Sequence, residues 1–359
     1  MHDLNARAWV EVDLGALLRN GAAYAAQAGV PLLPMVKADA YGLGAVPVAR
    51  ALERLEPWGF GVATIDEGEE LRRAGVARPV VVFTPLLAGD LDAAARARLT
   101  PTLGARDTIA RWHATGLPWQ LAIDTGMSRA GVQWNELDSI SDLIAAFPPE
   151  GAFTHFHSAD SSDESRGTQE QRFEAAIAKL PAAPPMLHAE NSSAVERRGK
   201  SSWSVARPGI FLYGVGVPNA TGLTPQHVAS MRARVVDLRM IEGGETVSYG
   251  ATYRAKGRRR IATLGVGYAD GYRRVLGNRA DVLIGGRRAP VVGVVTMDMT
   301  MVDVTDVPCE LGDVATLIGR DGGEEITIAD VAAFGGLSPY EVLTGLRGRL
   351  PRQYVGPDT

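Results

Sequence analysis

The sequence predicts an α/β chain in two parts: an N-terminal (β/α)8 barrel of the TIM type and a C-terminal, mostly antiparallel β domain. Short apolar runs alternate with helix-like stretches up to about residue 225, and strand-like runs dominate after about residue 228. A length of 359 residues suits roughly two domains. We therefore place a barrel domain at residues 1–228 and a β domain at residues 229–359.

The N-terminal part shows the alternation that parallel strands with helical crossovers require. Its helix-like stretches, such as Asp66–Ala74 and Thr168–Leu180, have apolar residues at helical spacing. This many strand–helix units favour a closed eight-stranded barrel, and an open doubly wound sheet is the alternative. The apolar runs are Pro31–Val36, Gly59–Ile65, Pro79–Thr84, Trp119–Ile123, Gly151–Phe156, Pro184–His188 and Gly209–Gly214.

The C-terminal part has the pattern of an antiparallel β domain. Glycine-rich turns, for example Gly285-Gly286 and Gly322-Gly323, separate its strand-like runs. A final helix-like stretch covers Ile328–Leu346 and contains the turn Gly335-Gly336. The strand-like runs are Arg234–Ile241, Arg260–Val266, Asp281–Ile284, Pro290–Val295, Met299–Val304 and Val314–Ile318.

Composition argues against several classes of partner. The formal net charge is −4, from 37 basic and 41 acidic residues, whereas binding to nucleic acid needs a basic surface. The single cysteine, Cys309, cannot form an internal disulfide, so nothing indicates an oxidising compartment. No apolar stretch reaches the ~18 residues of a membrane span, and the N-terminal segment lacks the apolar stretch of a signal peptide. We expect a cytoplasmic protein without a nucleic-acid, membrane or metal site.

Polar side chains follow the apolar runs of the N-terminal part, at the points where strands end. In a parallel barrel the carboxyl ends of the strands share one mouth, where functional groups gather. The sequence therefore predicts one site that collects these side chains. They are Lys37, Arg129, His155, His157, His188, Ser192 and Arg207.

Lys37 has two interpretations of similar weight. It follows Met35-Val36 inside an apolar run, where a lysine is costly to bury. It could be a surface lysine that extends its charged end to solvent at a strand end. Alternatively, a buried lysine has a lowered pKa, and its free amine can form a Schiff base with a carbonyl cofactor.

A phosphate site is the second feature that the strand ends suggest. Gly209-Ile210 follow Arg207-Pro208, and Ser192 comes from the preceding unit. Backbone N–H groups and a hydroxyl could hold an anion there, because the loops after the last two barrel strands often bind phosphate. A simple tight turn at the glycine is the alternative.

Taken together, these segments resemble the motifs of the alanine racemase family. They keep one order and spread from about residue 9 to about residue 345. The resemblance implies a pyridoxal phosphate enzyme, a barrel with a C-terminal β domain, and a head-to-tail homodimer whose active sites borrow residues from the partner's β domain. It also implies interconversion of L- and D-alanine, with D-alanine supplied for peptidoglycan. The matching segments are Val36–Gly44, Asp124–Gly131, Thr154–Phe156, Asn191–Ala194, Arg207–Ile210, Val247–Tyr253, Gly267–Gly271 and Met297-Asp298.

The resemblance implies a two-base mechanism. Removal and return of the Cα proton needs one base on each face of the planar intermediate. Lys37 is expected to hold the cofactor as an imine and to act on the D-enantiomer, and Tyr268 of the partner subunit to act on the L-enantiomer. A phenol of pKa ~10 is a poor base unless its anion is stabilised. The resemblance suggests that His155 and Arg207 form a relay that does this.

The same resemblance assigns the remaining site residues. Arg207 is expected to face the ring nitrogen, and a guanidinium with a pKa above ~12 donates a hydrogen bond there without surrendering a proton. The ring then stays a weaker electron sink, which suppresses transamination. Arg129 and the backbone N–H of Met297 are expected to hold the substrate carboxylate. The phosphate is expected to be held by Tyr41, Ser192, Gly209 and Ile210.

Two positions depart from the family pattern. Many members have a lysine, modified to a carbamate, two residues before the Asp-Thr-Gly motif, and here that residue is Ala122. Arg129 therefore needs another anchor. Gly348 stands before Arg349-Leu350-Pro351 where many members have tyrosine, so we expect a phenol near the phosphate to be missing. Both departures leave the substrate range open, because pocket size discriminates only modestly.

Three other functions remain as alternatives. A broad-specificity or serine-type racemase would use the same fold. An amino-acid decarboxylase would place a cysteine across from the lysine, and Cys309 lies outside the matching motif. A non-catalytic pyridoxal phosphate carrier is a lone barrel, and it would lack the motifs around Tyr268 and Met297.

Overall fold

The computed structural model describes residues 6–161, 163–219 and 221–356. Within these residues the chain forms two large sheets, one parallel and one mostly antiparallel. Residues 1–5 lie outside the described residues. They are part of the N-terminal segment from which we expect no signal peptide. None of the helices among the described residues has the length and apolar character needed to cross a bilayer.

Strands and helices alternate along the first half of the chain. The strands are β1 (Ala8–Asp13), β2 (Phe60–Val62), β3 (Val80–Val82), β4 (Thr100–Leu103), β5 (Gln120–Asp124), β6 (Val132–Gln133), β7 (Gly151–Phe153) and β8 (Met186–His188). The α-helices are α1 (Leu14–Ala28), α2 (Lys37–Gly42), α3 (Ala45–Leu52), α4 (Ile65–Arg73), α5 (Leu91–Arg96), α6 (Arg106–His113), α7 (Ser141–Ala146), α8 (Asp163–Ala178) and α9 (Ser192–Arg198).

Strands dominate the second half, as the glycine-punctuated pattern predicts. They are β9 (Ala229–Ile241), β10 (Thr246–Val247), β11 (Tyr253–Arg254), β12 (Arg259–Leu264), β13 (Asp281–Ile284), β14 (Arg287–Pro290), β15 (Thr300–Asp303), β16 (Val314–Asp321), β17 (Glu324–Ile326) and β18 (Arg352–Val355). Two helices, α10 (Ile328–Gly335) and α11 (Pro339–Thr344), form the predicted helix-like stretch, one on each side of its glycine turn. They separate at Gly336, whose φ of 61° ends α10, and Pro339 then starts α11.

The parallel sheet forms most of a barrel. Its strands follow the order β2-β3-β4-β5-β7-β8, with the short β6 paired to β5. All three residues of β3 are buried, as expected for a parallel strand that is covered on both faces. Each strand pairs with the next one along the ring in parallel register, for example Gln120 with Gly151 across β5 and β7.

Isolated bridges close this sheet into a ring. Met35 pairs in parallel with Gly61 of β2, and Leu32 pairs in parallel with Ala206. Asn191, just after β8, pairs in parallel with Arg207. Within the described residues, the segments 32–35 and 206–207 thus complete eight strand positions. The predicted eight-stranded barrel is confirmed, and the open doubly wound sheet is excluded.

The eighth strand position differs from the predicted one. The run Gly209–Gly214 folds into turns, with the N–H of Leu212 bonded to the carbonyl of Gly209. The barrel position is taken instead by residues 206–207, upstream of Pro208. A proline lacks an N–H for the ladder, so the strand ends there and the apolar run turns over the mouth of the barrel.

The second sheet follows the order β14-β13-β16-β9-β1-β18, and β12 joins β9 to β15. These pairs are antiparallel except for β1 with β18. The N-terminal strand β1 therefore belongs to the sheet of the C-terminal part, where Val10 lies between Met231 and Arg352. The division between residues 228 and 229 stays a prediction, and β1 crosses it.

Candidate active site

A cavity of about 670 Å³ opens at the carboxyl ends of the barrel strands. This is where a parallel barrel gathers its functional side chains. Eight of the residues that the sequence analysis selected line it: Lys37, Tyr41, Arg129, His155, Ser192, Arg207, Gly209 and Ile210. Residues from the beginning and from the end of the N-terminal half, such as Lys37 and Ile210, thus line the same cavity.

Lys37 lines this cavity and is only partly exposed. Burial lowers the pKa of its amine, and the positive charge of Arg129 lowers it further. A lowered pKa increases the fraction of neutral amine, which is the nucleophilic form. The structure therefore supports the buried, functional interpretation of this lysine over the surface interpretation.

The turn that carries Lys37 has unusual backbone geometry. Four consecutive non-glycine residues, Ala38 to Tyr41, have φ values between 51° and 57°. Left-handed conformation costs L-residues about 1–2 kcal/mol each, so other contacts must hold this turn. Glu67 accepts the N–H of Ala38 at 2.7 Å, and the Asp39 carboxylate accepts the N–H of Ala45 at 2.7 Å.

The left-handed turn brings Tyr41 into the cavity wall. Its ring stacks on that of Tyr213, with centroids 4.6 Å apart. The hydroxyl of Tyr213 in turn donates to the carbonyl of Met35 at 2.8 Å. A Cβ atom at Gly209 would collide with the hydroxyl of Tyr41. Because Gly209 has no side chain, the phenol of Tyr41 can approach the backbone of Gly209.

Ser192 and the turn after Arg207 face each other on this wall. The Ser192 hydroxyl accepts the N–H of Gly209 at 2.9 Å and that of Phe211 at 3.3 Å. Asn191 caps α9 by accepting the N–H of Ala194 at 3.1 Å. Hydroxyls and backbone N–H groups thus come together at one side of the cavity, where the sequence predicted a phosphate site.

Arg207 is 3 % exposed and is held by carbonyl groups. Its Nη2 donates to the carbonyls of Thr154 at 2.8 Å and Ala189 at 3.0 Å. Burial lowers the pKa of this guanidinium to about 10, so it remains protonated at neutral pH. Arg207 therefore presents a permanent donor to whatever occupies the cavity.

His155 is the neighbour that the predicted relay requires. Its Nδ1 lies 3.5 Å from Nη2 of Arg207. Burial lowers the pKa of His155 to about 3, and the charge of Arg207 contributes in the same direction. His155 is therefore a neutral imidazole at physiological pH.

The cavity is electropositive. Lys37, Arg129 and Arg207 line it, together with the carboxylate of Asp124. Asp124 is engaged in its own loop, since its Oδ1 accepts the N–H groups of Gly126 at 2.8 Å and of Ser128 at 3.1 Å. An anionic ligand would be attracted to this surface.

Arg129 lines the same cavity as Ala122, the residue that is present where the sequence analysis noted a missing lysine. It is exposed, and no carboxylate in the part of the chain that the structure describes lies within salt-bridge distance of it. Ala122 lines the same cavity, and its carbonyl lies against Gly131. The methyl group of Ala122 cannot hold the guanidinium, in agreement with the sequence analysis.

Tyr268 and Met297 lie outside this cavity. Among the described residues of the single chain they are exposed on the C-terminal part, by 36 % and 53 % respectively. The N–H of Tyr268 donates to the Thr296 carbonyl, and that of Ala269 donates to the Met297 carbonyl, both at 3.0 Å. Tyr268 and Met297 therefore share one rigid surface, which we call the Tyr268 platform.

Sequence reasoning missed Tyr340. Its side chain lines the cavity, and its ring lies 6.1 Å from that of Tyr41. The phenol that we expected to be missing because of Gly348 is thus present from a different position, at the start of α11. Gly348 itself has open space around it. The sequence signal was the start of a helix, Ser338-Pro339, immediately before this tyrosine.

Comparisons with known proteins agree with this geometry. Residues 12–217 match the family model described as alanine racemase, N-terminal domain, and residues 228–354 match the one described as alanine racemase, C-terminal domain. Alanine racemases of Symbiobacterium thermophilum and Deinococcus radiodurans are each 40% identical to this chain. These matches cover 97% of this chain, and 97% and 99% of the respective relatives.

Solved structures give the same result. Alanine racemase from Streptomyces coelicolor A3(2) superposes with a TM-score of 0.91 at 31% identity, covering 99% of this chain and 100% of that one. Alanine racemase from Bartonella henselae, whose structure has covalently bound pyridoxal phosphate, superposes with a TM-score of 0.88 at 28% identity. That match covers 98% of this chain and 100% of the other.

Proposed function

The chain belongs to the alanine racemase family, and from this premise we propose that it interconverts L-alanine and D-alanine with pyridoxal phosphate and two bases. The observation that carries the proposal is the joint position of Lys37 and Arg207 in one cavity. The lysine amine has a lowered pKa, whereas the arginine stays protonated. A nucleophilic amine beside a permanent donor suits an aldehyde cofactor with a ring nitrogen.

The residues present fit pyridoxal phosphate. On one wall of the cavity the Tyr41 hydroxyl approaches the backbone of Gly209, which a Cβ there would prevent, and the Ser192 hydroxyl accepts the Gly209 N–H. The phosphate would be held there, while Lys37 would hold the aldehyde covalently and Arg207 would donate to the ring nitrogen. When bound, the cofactor accepts into its ring the electrons that the loss of the Cα proton leaves behind. Ile210 would contribute its backbone to the phosphate side.

Lys37 and Tyr268 would be the two bases. Once the substrate's amino group has displaced it from the aldehyde, the Nζ atom of Lys37 would take and return the Cα proton on the face of the D-enantiomer. The hydroxyl of the partner's Tyr268 would act on the opposite face. His155 and Arg207 lie in one chain of contacts near the cavity, and the positive charge of Arg207 would stabilise the phenolate that forms.

A homodimer would complete the site. The Tyr268 platform is exposed in the single chain, together with Tyr249 and Met299, while the barrel cavity is open to solvent. In a head-to-tail dimer, the platform of one subunit would cover the cavity of the other. The Met297 N–H of the partner and Arg129 would then share the substrate carboxylate.

The biological setting follows from the family. We propose that the enzyme is cytoplasmic and that its D-alanine is used for peptidoglycan. The support for both statements is the resemblance of the whole chain to alanine racemases.

A broader substrate range is the second candidate. Ala122 is a small residue beside Arg129, in a cavity of about 670 Å³, and this space could admit a side chain larger than methyl. A turnover screen of L-amino acids with chiral detection would show racemised serine in that case. The decarboxylase alternative has less support, because Cys309 is 3 % exposed and packs in the C-terminal core.

The decisive experiment is Lys37→Ala. We expect purified wild-type protein to show the visible absorbance of lysine-linked pyridoxal phosphate and to racemise alanine, and we expect Lys37→Ala to lose both. Lys179→Ala, an exposed lysine at the end of α8, is the matched control and should keep both. Full activity in Lys37→Ala would refute the assignment.

A further inference from the structure

We propose that Gln120 is a positioning residue that fixes the tautomer of His188 and so holds the guanidinium of Arg207 in its donor orientation. This inference deepens the proposed function and rests on it, since Arg207 is the group that would face the cofactor ring. Gln120 touches neither the cavity nor Arg207, and it acts through His188 alone.

A continuous chain of hydrogen bonds joins the three residues. Nη1 of Arg207 lies 2.6 Å from Nδ1 of His188, and Nε2 of His188 lies 3.0 Å from Oε1 of Gln120. The exposed fractions of Arg207, His188 and Gln120 are 3 %, 0 % and 0 %. No solvent competes for these bonds, so each donor must meet an acceptor.

Donor and acceptor roles in this chain have one solution. A guanidinium has donors only, so Nδ1 of His188 must be the acceptor and carry no proton. The ring proton is then on Nε2, which donates to the Gln120 oxygen. An imidazolium would carry an N–H on Nδ1 as well as on Nε2, and the Nδ1–H would point at the Nη1 donor of Arg207. Burial and the charge of Arg207 both lower the pKa of His188, in agreement with a neutral ring.

The amide of Gln120 is held with its oxygen toward His188. Gly151 is its register partner on the neighbouring strand, and a Cβ atom there would collide with Oε1 of Gln120. The Nε2 atom of Gln120 has no hydrogen-bond partner among the described residues. A buried N–H group without a partner destabilises the folded state. A gain in stability therefore does not explain why position 120 is a glutamine.

Aromatic rings hold the imidazole in plane. The ring of Phe153 stacks on His188 at 5.2 Å between centroids and 12° between planes, and Phe83 meets it edge-on at 6.3 Å. The same two rings lie under the guanidinium of Arg207, at 5.4 Å and 5.8 Å from its central carbon. The imidazole of His188 is therefore held between Arg207 on Nδ1 and Gln120 on Nε2, and the Gln120 oxygen is the acceptor for its Nε2–H.

The consequence for Arg207 is geometric. One Nη1 donor goes to His188, and Nη2 donates to the carbonyls of Thr154 and Ala189. These bonds use three of the five N–H donors of the guanidinium, and Arg207 also lines the cavity. If His188 carried a proton on Nδ1, Arg207 would have to move, and the donor presented to the cofactor ring would move with it.

The test uses two substitutions at Gln120. Gln120→Leu removes the acceptor. Gln120→Glu keeps the size and places a carboxylate on Nε2 of His188, which favours the imidazolium and therefore an Nδ1–H against Arg207. Gln169→Leu is the matched control, because Gln169 is 1 % exposed and bonds to Thr125 and the His155 carbonyl instead.

The first readout is independent of activity. In protein labelled with 15N-histidine, without cofactor, the His188 nitrogens of the wild type should show a protonated Nε2 and an unprotonated Nδ1. Gln120→Leu should give a tautomer mixture, Gln120→Glu a protonated Nδ1, and Gln169→Leu the wild-type pattern. His188→Gln identifies the signals by their loss. Wild-type nitrogen signals in both Gln120 variants would overturn the proposal.

The second readout uses the cofactor-loaded enzyme. If Arg207 is displaced, alanine should more often leave as pyruvate while its amino group stays on the cofactor as pyridoxamine phosphate. We expect pyruvate formed per racemisation event to rise about tenfold in Gln120→Glu, a change of about 1.4 kcal/mol in relative barriers. An unchanged ratio would overturn the proposal even if the variant is less stable. If wild-type protein neither binds the cofactor nor racemises alanine, the proposed function fails, and the nitrogen signals still test the Gln120 contact.

Discussion

Burial determines the charge state of the side chains in the cavity. It lowers the pKa values of Lys37, His155 and Arg207, and the positive charge of Arg129 lowers all three further. The same environment therefore gives a more nucleophilic amine, a neutral imidazole and a still protonated guanidinium. The ordinary pKa values of lysine, histidine and arginine differ. The three side chains therefore have different charge states, and different chemical roles, in the same electropositive cavity.

A buried acid outside the reaction gives a residue-scale prediction about pH. Glu196 in α9 is 0 % exposed, and burial raises its pKa to about 7. A carboxyl group whose pKa is raised on folding favours the folded state fully below its unfolded pKa of about 4.5, and this contribution is lost as the pH rises through about 7. We expect Glu196→Gln to gain about 1–3 kcal/mol of unfolding free energy relative to wild type between about pH 5 and about pH 8.

Denaturant unfolding at both pH values measures this difference. Glu164→Gln, on the exposed surface of α8, is the control and should show no pH-dependent difference from wild type. A constant difference between Glu196→Gln and wild type over this range would mean that Glu196 is already ionised at the lower pH.

At the residue scale, the sequence predicted the groups that come directly after strands. Lys37, Arg129 and Arg207 could be selected because charges at strand ends of a parallel barrel share one mouth. Gln120 and Tyr340 could not be selected in this way. Gln120 lies at the start of a strand, and its partner His188 is close only after the barrel has closed.

Element geometry positions the lysine. The left-handed turn within α2 runs against the preference of L-residues, and Glu67 of α4 bonds to it from outside. The Glu67 carboxylate accepts the N–H of Ala38 through one oxygen and the N–H of Ala63 through the other, each at 2.7 Å. Its side chain also completes the capping box of α4 with Thr64. One carboxylate therefore couples a helix start to the lysine turn.

Substitution of this carboxylate is the element-scale prediction. Glu67→Gln places an amide NH2 against one of the two N–H groups and should lower the unfolding free energy by about 1 kcal/mol. It should also speed the loss of pyridoxal phosphate during dialysis, because the turn that carries Lys37 is less restrained. Glu70→Gln on the exposed side of the same helix should match wild type in both measurements. Unchanged cofactor retention in Glu67→Gln would show that the turn is held by other contacts.

At the element scale, apolar periodicity predicted the strands but not their ends. The run at residues 209–214 has the composition of a strand, yet it forms turns directly after Pro208, which accepts the N–H of Met35 but has no N–H of its own to donate. The left-handed turn could not be predicted, because nothing in Ala38-Asp39-Ala40-Tyr41 favours positive φ over the ordinary helix. Long-range contacts decide both features, and local sequence does not contain them.

The whole molecule links the two parts of the chain at the site. Strand β1 from the N-terminus lies in the C-terminal sheet, next to β9 and β18. From the C-terminal part, Arg352 donates to the carbonyl of Gly42 at 2.8 Å, and the hydroxyl of Tyr354 donates to that of Leu43 at 3.1 Å. The lysine turn is therefore held by both parts of its own chain, while Tyr268 and Met297 of the Tyr268 platform do not line the cavity of that chain.

The central claim is that the two proposed bases of one site come from two subunits. Lys37→Ala and Tyr268→Ala should each be inactive as homodimers, because every site then lacks one base. Co-expressed in equal amounts, they form mixed dimers in which one site has both intact residues. Random pairing restores about a quarter of the wild-type sites. Lys37→Ala co-expressed with Arg207→Leu is the control, and since both changes lie in the barrel it should restore none.

Alanine racemisation by the co-expressed Lys37→Ala and Tyr268→Ala proteins is therefore the most direct measurement. We expect activity of about a quarter of wild type per active site, far above either variant alone. Activity no greater than that of the separate variants would contradict it, because Lys37 and Tyr268 would then belong to a site within one chain or to no common site.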